Sequence, residues 1–558
     1  MELRLPFLTF CLPFVLGACN GSSGGASGPL TNLGLGAVAL HGQDELWAVE
    51  VSEAGDGARD RNGDGDTDDD VLVVYDLTDG SLSELGLALG GFPVVAVGSV
   101  LVAFGVLESG QGDTDLNGDG DTNDLVLHVY DVRSGVTTNS ELAMVALQPA
   151  IGMGNVAFAV QETAQGGQDL DGDGTTSSFV LHLYDSRTGQ STNAQRNVTS
   201  DIVFHDHAFG FTTDEHSAGT DLNGDGDETD TRVFEMFDLP LGGLEQVPLA
   251  IRGRPLAVNA DDWFLLGDED EMGLDLNGDG DSNEGVIHEV HPHLHTLASL
   301  GLSSTGSFGS TADGSDLAFV VREVDGLDHN GDGDLLDSLV VLYSTTLATA
   351  FDPGLAIAPN GPLVFTTEGL GFLVDEFAQD EDRNADGDLD DQVVHTLDRS
   401  SGLVSDLSFD AVSLQSMGDR LLFARSESAS EADWNFDGDF QDEVVFYRDP
   451  LFTFPVNTRI ASVGGVAAAT AESLLLIVPE SDERADLNHD GDLADLVYVL
   501  HDVTTHTNTS LGVAVTTPGA GLTADGRGVL LVSESGQGRD LNGDGDALDS
   551  VLHALVVP

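Results

Sequence analysis

Residues 115–124 read DLNGDGDTND, with oxygen-bearing side chains at positions 1, 3, 5, 7 and 10 (Asp115, Asn117, Asp119, Asp121, Asp124) and Gly120 at position 6. This is chemistry for a hard cation. Calcium takes about six to eight oxygens at roughly 2.3–2.6 Å. Side chains at positions 1, 3 and 5 converge when the backbone coils around an ion. The coil needs a sharp turn at position 6, where a positive φ is cheap only for glycine. The same loop stands at ten places, and glycine holds position 6 in all of them.

The candidate ligands are Asp60, Asn62, Asp64, Asp66 and Asp69 in the first copy, those already named in the second, and Asp169, Asp171 and Asp173 in the third. The fourth offers Asp221, Asn223, Asp225, Asp227 and Asp230; the fifth Asp275, Asn277, Asp279, Asp281 and Glu284; the sixth Asp328, Asn330, Asp332, Asp334 and Asp337. The seventh offers Asp382, Asn384, Asp386, Asp388 and Asp391; the eighth Asp433, Asn435, Asp437, Asp439 and Asp442. The ninth offers Asp486, Asn488, Asp490, Asp492 and Asp495, and the tenth Asp540, Asn542, Asp544, Asp546 and Asp549. The third copy is degenerate, with Thr175 and Ser178 at positions 7 and 10, and is expected to bind weakly or not at all. The expected cofactor is Ca2+, about nine or ten ions per chain.

A further carboxylate stands five to seven residues before each loop: Glu53, Glu108, Glu162, Asp214, Asp268, Glu323, Asp375, Glu427, Glu480 and Glu534. Two readings stay open for it. It ligates the ion directly or through water, or it is a solvated strand end in an acidic protein.

Charge agrees with a cation-binding role. Acids outnumber bases 97 to 19, a net charge of −78, and all 19 bases are arginine. The five loop positions account for 39 of those acids. Such a surface repels nucleic acid and anionic membranes. Without lysine there is neither Schiff-base chemistry nor a phosphate-binding P-loop. Carboxylates packed this closely repel one another when no metal is bound, so binding energy realised only in the folded chain is folding energy.

The elements that carry the loops repeat with them. Successive loop starts lie 51 to 55 residues apart along the whole chain after its first residues. Before each loop comes an apolar run such as LVAFGVLE (101–108), and after it a second such as LVLHVYD (125–131). A turn such as RSG (133–135) and a weaker strand of small residues follow. These runs are short, rich in Val, Leu, Phe and Tyr, and lack a helical stripe. The loop therefore joins two strands of a hairpin. Three or four strands in about 53 residues is the size of a propeller blade.

The fold class expected is all-β, a propeller of ten repeats, as one closed ring, with two five-bladed rings or an open solenoid as alternatives. Residues 31–40, TNLGLGAVAL, resemble 138–147, TNSELAMVAL, a segment that follows a loop hairpin. The sequence stops at VLHALVVP, directly after its own hairpin. A first strand that completes the last blade explains both, and resembles the Velcro closure of propellers.

The loop resembles an EF-hand over its first half, then departs from it. Position 12 holds Val71, Val126 and their counterparts where an EF-hand places glutamate. It resembles more closely the D-x-[DN]-x-D-G-x-x-D loops of FG-GAP, integrin-like propellers, with the closing acid one place later. The run LVLHVYDVRSG resembles a TolB or WD40-like propeller repeat.

At the N-terminus, one arginine and the apolar run Leu5–Leu16 fit a signal peptide, too short to span a membrane. Leu16-Gly17-Ala18-Cys19 resembles a bacterial lipobox, which implies residues 1–18 as a removed signal and lipid on Cys19. Residues 19–29 are then a flexible tether and 30–558 the repeat domain. Cys11 and Cys19 are the only cysteines, so this exported domain would carry no disulfide. Calcium would be its staple, and the bacterial cell envelope its expected place.

Other motifs say less. Histidine recurs thirteen residues after the loop start (His128, His182, His288, His395, His553), where other repeats have Val or Phe. That is a packing position on the second strand, or, as the alternative, a ring of metal or catalytic histidines. No nucleophile elbow, HExxH pair or phosphate-cradling glycine loop is present. The reading is an exported, surface-anchored binding scaffold for a protein, glycan or cationic ligand. Its alternatives are a propeller hydrolase or lyase with structural calcium, and a passive calcium-binding surface protein.

Overall fold

The computed structural model describes residues 29–557, apart from 91–93, 201, 254, 259–261, 292–295, 312–313, 324–327, 418, 449–453 and 516–519. The signal segment, Cys19 and the tether up to residue 28 lie outside the described residues.

The chain is all-β, as the repeat implies. Among the described residues the strands form six four-stranded antiparallel sheets, one of seven strands and one of eight, the last two each being two sheets that share a strand, so that one sheet accompanies each acidic loop. In the second sheet the strands are Val95–Val97, Leu101–Leu107, Leu125–Asp131 and Val136–Ala143. They pair in chain order, each with the next. The acidic loop joins the second strand to the third, and Leu107 opposite Leu125 is its last rung.

The apolar runs look continuous because both faces of each sheet are covered. Leu101 and Ala103 point to the third sheet, where they meet Phe158 and Tyr184. Val102, Phe104 and Val106, on the alternate positions, meet Leu72 and Val74 of the first sheet. Period-two alternation thus becomes apolar on both sides. There are ten such apolar clusters, each between a sheet and its successor. One of them joins Val529, Leu531 and Leu552 of the tenth sheet to Val49, Val51 and Val73 of the first.

Leu30–Gln43 serves two sheets. Its later half pairs with Leu46–Ser52 in the first sheet, and its earlier half with Ser550–Val556 in the tenth, Leu30 opposite Leu555. Thr296–Ser310 bridges the fifth and sixth sheets in the same way.

One element went unseen in the sequence. Most repeats place a single helical turn between the second strand and the loop, such as Glu215–Ala218 or Glu480–Glu483. Four residues are too few for any periodicity to show.

Candidate metal centres

Each loop coils through a ladder of side-chain-to-backbone hydrogen bonds. In nine loops the first aspartate accepts from the backbone N–H groups of positions 4 and 6; in the second loop these are Gly118 at 2.6 Å and Gly120 at 3.2 Å. Position 3 accepts from the N–H of position 5, and position 5 from that of position 7, in all ten. The glycine at position 6 has φ between 87° and 109° in every copy, so only glycine fits without strain.

Beneath each loop lies a buried glutamate. Glu53, Glu108, Glu162, Glu215, Glu269, Glu376, Glu427, Glu480 and Glu534 are 0% exposed, and Glu323 is 4%. In three repeats this corrects the sequence assignment. Asp214, Asp268 and Asp375 cap the helical turn, each accepting a backbone N–H within it, and the buried acid is the next residue. Glu108 shows the arrangement. Its Oε1 accepts from the backbone N–H groups of Leu116 (2.6 Å) and Asn117 (3.3 Å), and its Oε2 from that of Asp124 (3.1 Å). The glutamate therefore ties both ends of the loop to the sheet.

At four loops the structure shows which acids converge. Glu427 meets Asp437, Asp439 and Asp442; Glu480 meets Asp490, Asp492 and Asp495; Glu534 meets Asp544, Asp546 and Asp549; Glu53 meets Asp66 and Asp69. Within each group one oxygen per residue lies within 4.8 Å of the others. Positions 5, 7 and 10 thus gather around the glutamate. The aspartate at position 1 stands outside these groups, and the oxygen of the asparagine at position 3 accepts the backbone N–H of position 5. The asparagine at position 3 also donates to the closing acid, as Asn117 does to Asp124 at 3.0 Å.

These residues fit a hard cation. The donors are all carboxylate oxygens, which is calcium's preference. Oε2 of Glu53, Glu215, Glu323, Glu376 and Glu427 is buried without a hydrogen-bond partner, as is Oδ2 of Asp549. An unpaired buried carboxylate oxygen is expensive unless a cation meets it.

The closing acids register the same tension. Burial, reinforced by the neighbouring carboxylates and opposed by the asparagine, pushes Asp69, Asp124, Asp337, Asp391 and Asp442 up to about 6. Burial and carboxylates raise Asp549 to about 6, and Asp230 reaches about 7. The ordinary value is 3.8, so the metal-free fold binds protons more tightly than the unfolded chain does. These groups stabilise the metal-free fold fully below about pH 4, and that stability is lost as pH rises through 6 to 7. The melting temperature in EDTA is therefore expected to fall between pH 5 and pH 7.5, which a thermal scan at the two values checks.

In the third loop, hydroxyls of Thr175 and Ser178 donate to Asp173 Oδ2 at 3.2 and 3.3 Å. The recurrent histidines are packing residues. His128, His182, His288, His395 and His553 are buried, each with Nδ1 against the carbonyl two residues earlier, and burial holds their imidazoles below the usual range.

Seven loops also touch the next sheet through the side chain at position 3. Asn62 Nδ2 donates to Gly110 O at 2.7 Å, Asn117 to Ala164 O at 2.8 Å and Asn488 to Gly536 O at 2.6 Å. Asn542, in the tenth loop, donates to Gly55 O of the first sheet at 2.9 Å.

No protein-family model and no curated protein matches the chain. Among solved structures it is similar to the β-propeller domain of the Trilobed protease from Pyrococcus furiosus, at 9% identity over 66% of this chain and 97% of that one, TM-score 0.29. It is also similar to BamB from Moraxella catarrhalis, at 10% identity over 69% and 90%, TM-score 0.30. A third is TolB from Acinetobacter baumannii, at 10% identity over 65% and 78%, TM-score 0.22. Likeness at this level says nothing about activity, and the fold rests on the strand pairings above. No helix among the described residues is long and apolar enough to cross a membrane.

Proposed function

We propose that the chain is a calcium-dependent propeller, one closed ring of ten blades, that serves as a binding scaffold on the bacterial cell envelope, anchored through lipid on Cys19. The observation that carries the calcium reading is the buried glutamate under each loop, with Oε2 unpaired in five of them and with acids of positions 5, 7 and 10 gathered beside it at Glu427, Glu480 and Glu534. In this reading those four residues supply the first ligands, while position 1 and Asn at position 3 hold the loop's coil. The ten apolar clusters and the pairing of Leu30 with Leu555 support a single ring. The ligand is a protein, a glycan or a cationic molecule, drawn to a strongly acidic surface. Counting ions by equilibrium dialysis tests the reading. Nine strong or moderate sites are expected, with the third loop silent, and Asp169→Ala should leave the count unchanged. Two or fewer ions per chain would sink it.

A second reading, a propeller enzyme with structural calcium, is favoured by one blade-specific cluster. Asp262, Glu289 and His291 converge in the fifth sheet on the side away from the loops, and Tyr343 donates to Glu289 at 3.1 Å. Glu289 is buried where the second and third repeats have Val129 and Leu183. A hydrolase or lyase activity lost in His291→Ala, with unchanged melting, would select this reading.

A further inference from the structure

Four residues after each buried glutamate, the helical turn ends in a left-handed residue: Gly112, Gly166, Gly219, Gly273, Asp380, Glu431, Arg484 and Gly538. Gly57 holds the same place after Glu53, also with positive φ. After Glu53, Glu108, Glu162 and Glu480 the packing of consecutive sheets sets this residue beside position 5 of the preceding sheet's loop, whereas a Cβ on Gly219, Gly273 or Gly538 would meet nothing within 4 Å. A Cβ on Gly112 would lie 3.2 Å from the Asp64 Cβ, one on Gly166 3.4 Å from that of Asp119, and one on Gly57 3.3 Å from that of Asp544. A side chain grown at Gly57, Gly112 or Gly166 is delivered to the carboxylates of a neighbouring loop.

In the ninth sheet the residue is Arg484. Its Nε lies 3.2 Å from Asp437 Oδ2 and its Nη2 2.6 Å from Asp439 Oδ2, while Nη1 donates to the Asp437 carbonyl at 2.6 Å. Asp437 and Asp439 are positions 5 and 7 of the eighth loop, half of the group completed by Glu427 and Asp442. The Asp437 side chain is 3% exposed, but that of Arg484 is 52% exposed. The guanidinium can swing out into solvent; the carboxylate cannot.

We propose that Arg484 is a built-in counter-ion that makes the eighth loop the weakest calcium site among the complete loops, and that the residue four places after the glutamate sets the affinity of the loop on the preceding sheet. An entering ion must displace the guanidinium from two of its ligands and then sit beside a positive charge. Exposed pairs of this kind are individually weak, so the expected penalty is about fivefold to tenfold in affinity. The seventh and eighth sheets carry the opposite sign at this place in the repeat, Asp380 and Glu431, and on the same argument the sixth and seventh loops bind more tightly. The proposal rests on the calcium reading above.

The test is a calorimetric titration of the calcium-stripped full chain with Ca2+, comparing the native protein with Arg484→Gly and Glu427→Gln. Glycine is the residue most other sheets carry there, and it suits the left-handed backbone (φ 49°). In the native protein one ion should bind in a weak class. Glu427→Gln should remove that ion, and Arg484→Gly should tighten it about tenfold without changing the number bound. Asp442→Asn replaces Glu427→Gln if the latter melts anomalously in EGTA. An unchanged isotherm for Arg484→Gly, or loss of a tight ion on deleting the eighth site, overturns the proposal. No ion bound by any variant overturns the calcium reading itself.

Discussion

Stripped of calcium with EGTA, the protein is expected to melt tens of degrees below its calcium-loaded form and to lose the cooperativity of its transition. The physical basis is mass action. An ion that binds only the folded chain contributes about 2.7 kcal/mol when its concentration is a hundred times the dissociation constant. Nine such sites would sum to about 24 kcal/mol, more than the whole stability of a typical domain. Removal does more than withdraw that sum. It leaves carboxylates facing one another, four of them at the eighth, ninth and tenth loops, with five of the glutamates keeping an unpaired oxygen. Differential scanning calorimetry at pH 7.5, with and without EGTA, checks the expectation. A melting temperature indifferent to EGTA would mean that the loops are not the staples of this fold.

The second large effect separates the two tasks of the buried glutamate. Glu108→Ala should cost on the order of 5 kcal/mol even in EGTA, because three backbone N–H groups, those of Leu116, Asn117 and Asp124, lose their acceptor. Glu108→Gln keeps an oxygen for Leu116 and Asn117 but removes the charge an ion would need. In EGTA it should melt well above Glu108→Ala, since one of the mutually repelling acids is gone and only the Asp124 N–H loses its acceptor. In calcium it should bind one ion fewer and melt lower. Ion counts and melting curves for the pair distinguish a ligand from a mere loop anchor. If Glu108→Gln binds the full complement, the glutamate does not ligate.

The repeat and its hairpin were legible because alternation and loop chemistry are local. The pairing of the first strand with the last hairpin was legible too. In the stretch where TNLGLGAVAL resembles TNSELAMVAL, Asn139 donates to Leu116 O and Asn32 donates to Leu541 O, each anchoring the carbonyl of a loop's second residue at 2.9 and 2.8 Å. Identical work kept the residues alike. What the sequence hid lies between repeats or in one-residue choices. Asp214 and Glu215 are adjacent acids, and only the strand's direction tells which cap a helical turn and which is buried. The contact of Asn62 with Gly110, 48 residues on, depends on how two sheets pack, which no local pattern encodes. Arg484 looks like any surface arginine until its neighbour's loop is placed beside it.

The pairing of Leu30 with Leu555 has a kinetic consequence. Sheets two to nine can each form as soon as their own residues have left the ribosome, because every strand they need lies close in sequence or in a neighbouring repeat. The tenth cannot. Its fourth strand is synthesised first of all and must wait for a partner more than 500 residues away, a loop whose closure costs roughly 5 kcal/mol of chain entropy. This pairing therefore forms late and slowly. Until it does, Ser550–Val556 offers an open strand edge to any other chain nearby, so the nascent protein is most prone to misassociation in the interval before Leu30 meets Leu555.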